Sequence, residues 1–360
     1  MNEEHLDAYE RARRADQRRR KKAAALKRKR ARRLKRIKLG IAGTAVAVIA
    51  ASCILYTVRG KGDAETPSSL ETNQTVQVAL EAAAQLTAPK EKIKYPTVSE
   101  HYTEIVSEDV MSPYIALLDV ENGQVIAGRA YNEKIYPASM TKVMTLIVAV
   151  ENIKDYNQTY ALTYELIDPL VRDQASRAGF DPEEQVTVMD YLYGLVLPSG
   201  ADAAVALSNI TAGSEEAFAE LMNQKCQELG LKYTHFVNSS GLYDEEQYTT
   251  PLEMALIMQY AMTNETCAKV LSTYQYRTSA TAQHPEGILL SSTMFSRMYG
   301  TEVEGVTITA GKTGYTQEAG NCLVSYAQKD GHHYVALTAG ASYKWHTIFD
   351  DFEIYKNYLP

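Results

Sequence analysis

The sequence predicts an α+β domain, a mixed sheet with a helical layer against it, carried behind an N-terminal transmembrane helix. Three observations point there. Strand-like runs lie at both ends of the chain's body and helix-like runs between them, the order expected when the two termini close one sheet. Charge is divided sharply: residues 1–38 hold seventeen Lys and Arg against five Asp and Glu, and the remainder holds twenty against thirty-nine. A basic tail thus precedes an acidic body. Between them, residues 39–58 run for twenty positions without a charge. At about 1.5 Å per residue this is about 30 Å, the hydrocarbon thickness of a bilayer.

The basic block sits directly before the apolar span, and cytoplasmic flanks are rich in Lys and Arg. The tail is therefore placed inside and the body outside a single-pass anchor. Small residues at Ala50, Ala51 and Ser52 give a cleaved signal peptide as the alternative. Against it, the apolar run continues to Val58 and the polar region before it is long. A lipoprotein site at Cys53 is opposed by the apolar Ile54, Leu55 and Tyr56 that follow it. The tail could neutralise phosphates, but its place against the span favours a topology signal that also meets anionic headgroups, so no nucleic acid is expected as partner. Residues 59–106 are polar and read as a stalk. Residues 107–360 read as the folded body.

Four cysteines, one inside the span, do not make a disulfide framework, and Cys226 reads as a buried thiol. Scattered histidines give no metal signature, and His332 with His333 reads as part of a hairpin strand. No metal and no cofactor is expected.

Within the body, residues 114–120 and 124–130 alternate around the turn at Glu121, Asn122 and Gly123 and read as paired strands. A helix should follow from Ser139. Helical patterns then cover 189–197, 201–211, 214–229 and 252–262, the third started by Ser214 with two glutamates behind it. Strands return at 274–278, 306–310, 321–328 and 334–340. The last two are joined by Lys329, Asp330 and Gly331, a hairpin signal. Residues 349–358 close the chain as a helix.

The reactive stretch is Tyr136-Pro137-Ala138-Ser139-Met140-Thr141-Lys142. Ser139 stands where an apolar helical run begins, beside backbone N–H groups that lack intrahelical partners. Lys142 lies one turn on, within reach of the hydroxyl, which pairs a weak nucleophile with a possible base. This is the only Ser-x-x-Lys in the chain, and alone it reads more readily as a capping serine before a surface lysine. Two further stretches change that. Pro198 and Gly200 interrupt two helical runs and place Ser199 on a loop; Gly311-Lys312-Thr313-Gly314-Tyr315 continues the strand from Val306.

With Ser139-x-x-Lys142, the Ser199 loop and Lys312-Thr313-Gly314 in this order, the body resembles the serine-type D-alanyl-D-alanine carboxypeptidases, the low-molecular-weight penicillin-binding proteins. The phrases around the motifs, PASMTKVMTLIVAVE, VTVMDYLYGLVLPSGADAA and AGKTGYTQEAGNCLVSYAQKDG, resemble the family as well. The likeness covers about residues 107–350. It implies a three-layer, mostly antiparallel α+β fold of the β-lactamase/DD-peptidase kind. It implies a bacterial membrane protein with its catalytic domain on the extracytoplasmic face. Its substrate would be a peptidoglycan stem peptide ending in D-Ala-D-Ala, with β-lactams as acylating inhibitors.

By the same resemblance Ser139 is the nucleophile, Lys142 its base, and Ser199 a proton relay to the leaving amine. Lys312 and Thr313 suit the terminal carboxylate, Gly314 clears the strand, and the backbone N–H groups of Ser139 and Tyr315 form the oxyanion site. Lys142 must be neutral to act, against an ordinary pKa of about 10.4. Burial with Lys312 as a neighbouring cation is the expected cause. One position departs from the family, whose second motif is Ser-x-Asn: here the third residue is Ala201.

A serine β-lactamase shares the nucleophile but needs a base to release the acyl group, and Glu183 or Glu184 would be the candidate. A catalytically weak wall-binding module is the reading that Ala201 motivates.

Overall fold

The computed structural model describes residues 94–298 and 303–360, which belong to one compact unit, Pro89–Pro360. The basic tail, the span at 39–58 and most of the stalk lie outside the described residues. Among the described residues no helix is long and apolar enough to cross a membrane.

Among the described residues, ten strands and nine α-helices follow one another. Strands β1 (Thr97–Glu104), β2 (Tyr114–Asp119) and β3 (Gln124–Arg129) come first. A 3-10 turn, Ala138–Met140, leads into α1 (Thr141–Asn152). Then come β4 (Thr159–Tyr160), α2 (Tyr164–Arg172), β5 (Val186–Thr187), α3 (Val188–Val196), α4 (Ala201–Ala212) and α5 (Glu215–Leu229). The middle closes with α6 (Pro251–Thr263) and α7 (Glu265–Leu271). Finally come β6 (Gln275–Arg277), β7 (Leu289–Ser291), the short α8 (Phe295–Met298), β8 (Val306–Thr316), β9 (Gly320–Lys329), β10 (His332–Ala341) and α9 (His346–Asn357).

The main sheet has six strands in the order β1-β3-β2-β10-β9-β8. All its pairings are antiparallel except β1 with β3. The first and last parts of the body meet at β2–β10, where Tyr334 faces Asp119 and Ala339 faces Tyr114. Both faces of the central strands are covered, so they read as continuous apolar runs. Ile115 and Leu117 of β2, with Tyr334 and Ala336 of β10, pack with Ile354 and Tyr355 of α9. Leu118, Val335, Leu337 and Ala339 join Met144, Leu207 and Met254 of the helical layer. Alternate residues of one strand thus serve two cores.

Two expectations need correction. Residues 97–104, assigned to the stalk, form the edge strand β1, and the following segment is fastened by Arg129. Its guanidinium donates to the carbonyls of Ile105 at 2.6 Å, Ser107 at 3.0 Å, Val110 at 2.9 Å and Ser112 at 3.0 Å. A mostly exposed edge strand has no apolar alternation to reveal it. The strand expected at 274–278 exists, but pairs only with β7 in a two-stranded ribbon outside the main sheet.

The helical layer is capped as its sequence dictates. Ser214 accepts from the Ala217 N–H and Thr250 from the Glu253 N–H, and Gly213 and Gly230 end their helices in the left-handed conformation. The buried α1 lies in its midst, contacting α3, α4, α5, α6 and α7, and this holds the residues at its start in place. Cys226, Cys267 and Cys322 are buried thiols, and His332 and His333 open β10.

Candidate active site

Three chain segments converge on one cavity of about 500 Å³. Ser139, Lys142, Ser199, Thr313, Gly314 and Tyr315 all line it, together with Ser240, Gly241, Tyr243, Thr293 and Arg297. Every residue singled out from the three motifs lies here, save that Lys312 reaches the group from beneath through Ser199.

Ser139 lies in the 3-10 turn before α1, and its hydroxyl caps nothing. The capping alternative therefore fails, and the oxygen is left to Lys142, whose Nζ is 3.0 Å away. Lys142 is 1% exposed. Its Nζ also donates to the Ser240 carbonyl at 2.5 Å. Ser240 belongs to a turn that sequence reasoning passed over. Asn238 Oδ1 accepts from the Gly241 N–H at 2.7 Å, Glu215 Oε1 from the Ser239 N–H at 3.0 Å, and Thr145 donates to the Ser239 carbonyl at 2.7 Å. Gly241 at φ +80° passes so close to the nucleophile's turn that a Cβ there would lie 1.9 Å from the Ala138 carbonyl oxygen. The Asn-Ser-Ser-Gly run was the signal available for this turn.

Ser199 is reached from the opposite side. Its Oγ accepts from Lys312 Nζ at 2.9 Å, and Lys312 also donates to the Thr313 carbonyl at 2.8 Å. Three non-glycine residues in or beside the site hold left-handed backbone, Ala138 at φ +46°, Gln174 at φ +52° and Ser199 at φ +67°. Such conformations cost about 1–3 kcal/mol each and persist where the surroundings over-determine them.

The Lys-Thr-Gly stretch lies inside β8, continuing the strand from Val306 as expected. Residues 310–314 are buried, and β8 is an edge of the sheet. It therefore presents backbone that no strand pairs on the cavity side, where an extended peptide can add. A Cβ at Gly314 would lie 3.2 Å from the Ser139 backbone nitrogen, so glycine lets strand and nucleophile approach. Thr313 is hydrogen-bonded to Thr293 at 2.7 Å.

The electrostatics turn on two buried lysines. Burial pushes Lys142 down to about 7, against the opposing pull of Asp202 and Glu215. Lys312 is pushed well below the ordinary lysine range by burial and then by the charges of Lys142 and Arg297. Burial supplies the shift of Lys142 as expected, and Lys142 and Lys312 repel one another as like charges. Asp202 is itself raised by burial against the N–H groups of Ala178, Gly179 and Ala203. Arg297, which no motif marked, brings a third cation, held below its ordinary range by burial.

The carboxylate a β-lactamase needs is not supplied by the expected glutamates. Glu184 is buried, and its oxygens take the Thr281 hydroxyl at 2.5 Å, His284 Nδ1 at 2.9 Å and the Asp181 N–H at 2.8 Å. Neither Glu183 nor Glu184 lines the cavity, whose one carboxylate residue is Asp173.

The family model for D-alanyl-D-alanine carboxypeptidase, Peptidase S11, matches residues 100–342. The chain belongs to the Peptidase S11 family. The D-alanyl-D-alanine carboxypeptidase DacF of Bacillus subtilis is 32% identical over 226 residues, 63% of this chain and 56% of that protein. DacA of Escherichia coli is 30% identical over 235 residues, 62% of this chain and 55% of that one. The chain thus spans about half the length of these curated relatives. Among solved structures, the DD-transpeptidase of Streptomyces K15 is similar at a TM-score of 0.62 and 26% identity, over 68% of this chain and 96% of that one. Penicillin binding protein 5 of Haemophilus influenzae, at 0.62 and 23% identity, shares the fold. The S11 match contains all three motifs.

Proposed function

We propose that the chain is a serine D-alanyl-D-alanine carboxypeptidase that removes the last D-alanine from peptidoglycan stem peptides and is acylated by penicillins. The observation that carries this reading is the paired arrangement of two hydroxyls on two buried lysines in one cavity. Ser139 Oγ lies 3.0 Å from Lys142 and Ser199 Oγ 2.9 Å from Lys312.

The steps follow from the groups present. A base near pH 7 is required, and Lys142 is held at about 7. Ser139 Oγ attacks the carbonyl carbon of the penultimate D-alanine while its proton passes to Lys142. The oxyanion is met by the N–H groups of Ser139 and Tyr315, an arrangement worth several kcal/mol where it is preorganised. The C–N bond breaks, Ser199 gives its proton to the departing amine and takes in turn the one that Lys142 carries, and D-alanine leaves. Water then attacks the ester carbon and the Ser139 oxygen takes back a proton. The terminal carboxylate finds the Thr313 hydroxyl and the positive charge of Arg297. An anion placed there favours the protonated form of Lys312, which burial disfavours.

The family's second-motif amide is replaced by Ala201, which is 2% exposed. Lys142 keeps a carbonyl partner in Ser240, so the base remains held without it. The charge pattern of the first 58 residues supports a single-pass anchor at 39–58, with the catalytic body on the extracytoplasmic face of a bacterial membrane. The three-layer description of the fold and the contact with β-lactams belong to the same reading.

Incubating the purified chain with a stem pentapeptide ending in D-Ala-D-Ala tests it. Free D-alanine and a shortened tetrapeptide are expected. An intact pentapeptide, with a penicillin turned over quickly, would replace the reading with that of a β-lactamase.

A further inference from the structure

The segment between α2 and β5 belongs to no catalytic motif, yet Asp173, Gln174, Ala175 and Ser176 line the cavity. Four hydrogen bonds join this segment to the Ser199 loop. The Ser176 hydroxyl donates to the Ser199 carbonyl at 2.7 Å, and the Ser176 carbonyl accepts from the Ala201 N–H at 2.7 Å. Beneath them, the buried carboxylate of Asp202 accepts from the Ala178 N–H at 2.8 Å and the Gly179 N–H at 3.1 Å. Ser176 alone therefore grips the loop on both sides of Gly200.

What it grips is a strained turn. Ser199 stands at φ +67°, a region that a residue with a Cβ leaves unless it is held. Gly200 cannot carry the restraint in a side chain, because a Cβ there would lie 2.5 Å from Asp202 Oδ1 and 2.7 Å from the Gly194 carbonyl oxygen. The Ala201 side chain is a methyl group that makes no hydrogen bond. The only side-chain bond to the Ser199 backbone among the described residues is the one from Ser176. The same backbone sets the direction of Ser199 Oγ towards Lys312.

We infer that Ser176 is a positioning residue: its hydroxyl fixes the Ser199 peptide and so keeps the Ser199 hydroxyl on Lys312. This rests on the carboxypeptidase reading, in which Ser199 carries a proton to the leaving amine. Ser176 is exposed, so removing its hydroxyl disturbs stability little. Its cost falls on the placement of Ser199, and small misplacements of reacting groups are expensive in rate.

The test compares full-length wild type, Ser176→Ala and Ser176→Thr in detergent, with a D-Ala-D-Ala pentapeptide and with a fluorescent penicillin. Ser176→Ala is expected to lower kcat about tenfold, with KM within about twofold and an unchanged melting temperature. Ser176→Thr, which keeps the hydroxyl, is expected to recover most of the rate. The penicillin acylation rate should fall in Ser176→Ala and recover in Ser176→Thr. An unchanged kcat in the alanine variant overturns the inference. So does a rise in KM alone, which would make Ser176 a substrate contact, or a threonine variant as slow as alanine. If wild type is acylated by penicillin but leaves the peptide intact, the carboxypeptidase reading fails while the acylation rates still decide the role of Ser176. If neither reagent reacts, both fall together.

Discussion

The rate of acylation should follow the protonation of Lys142. Burial brings this lysine from its ordinary 10.5 down to about 7, a differential of about 5 kcal/mol at about 1.4 kcal/mol per pKa unit. Below that value the base already carries a proton and cannot take one from Ser139. The rate of labelling by a fluorescent penicillin should therefore rise with pH, half-maximal near 7 and falling to about 1% of its plateau at pH 5. Stopped-flow or gel-based labelling between pH 5 and 9 measures this directly. Glu215 opposes the shift, so Glu215→Gln should move the acid limb to lower pH while its remaining oxygen keeps the bond to Ser239. The stability sign is fixed by the same residue. Between about 7 and 10.5 the unfolded lysine binds a proton that the folded one has lost, so its contribution to stability rises with pH through that window. A labelling rate flat from pH 5 to 9, or a limb near 10, would refute burial as the means by which Lys142 becomes a base.

Three substitutions test neighbouring parts of the account. Glu184→Gln should leave the lifetime of the penicilloyl-enzyme unchanged while lowering stability by about 1–3 kcal/mol, because its carboxylate serves Thr281 and His284 and not the cavity. A longer-lived adduct in that variant would restore the β-lactamase alternative. Arg297→Gln should reduce kcat/KM on a D-Ala-D-Ala peptide about 10–100-fold through KM, the range expected for losing a charged hydrogen bond. Equal loss on a substrate with an amidated C-terminus would show that Arg297 does not meet the carboxylate. Ala201→Asn should slow acylation by the same peptide, since residue 201 is almost fully buried and its N–H is committed to Ser176. A tenfold gain would show instead that alanine is a plain loss from the second motif.

Much of the fold was legible where apolar patterning was strong. The runs that became α3 to α6 and β8 to β10 carry core residues at helical or strand spacing, and caps such as Ser214 and Gly331 mark their ends. β1 escaped because an exposed edge strand reads like polar linker. The three motifs located Ser139, Lys142, Ser199, Lys312, Thr313, Gly314 and Tyr315. The residues missed act through the backbone or from a distance. Ser240 contributes a carbonyl, Ser176 reaches across from a loop that belongs to no motif, and Arg297 arrives from a four-residue helix. Linear order carries no signal for such convergence.

The central claim is that Ser139 becomes covalently acylated by a peptide ending in D-Ala-D-Ala. Rapid acid quench of the full-length chain with such a pentapeptide, followed by proteolysis and mass spectrometry, tests it most directly. The account predicts an ester on Ser139 whose mass is that of the peptide less one alanine, absent from Ser139→Ala. Release of D-alanine at an undiminished rate by Ser139→Ala, or an adduct on any other residue, would contradict it.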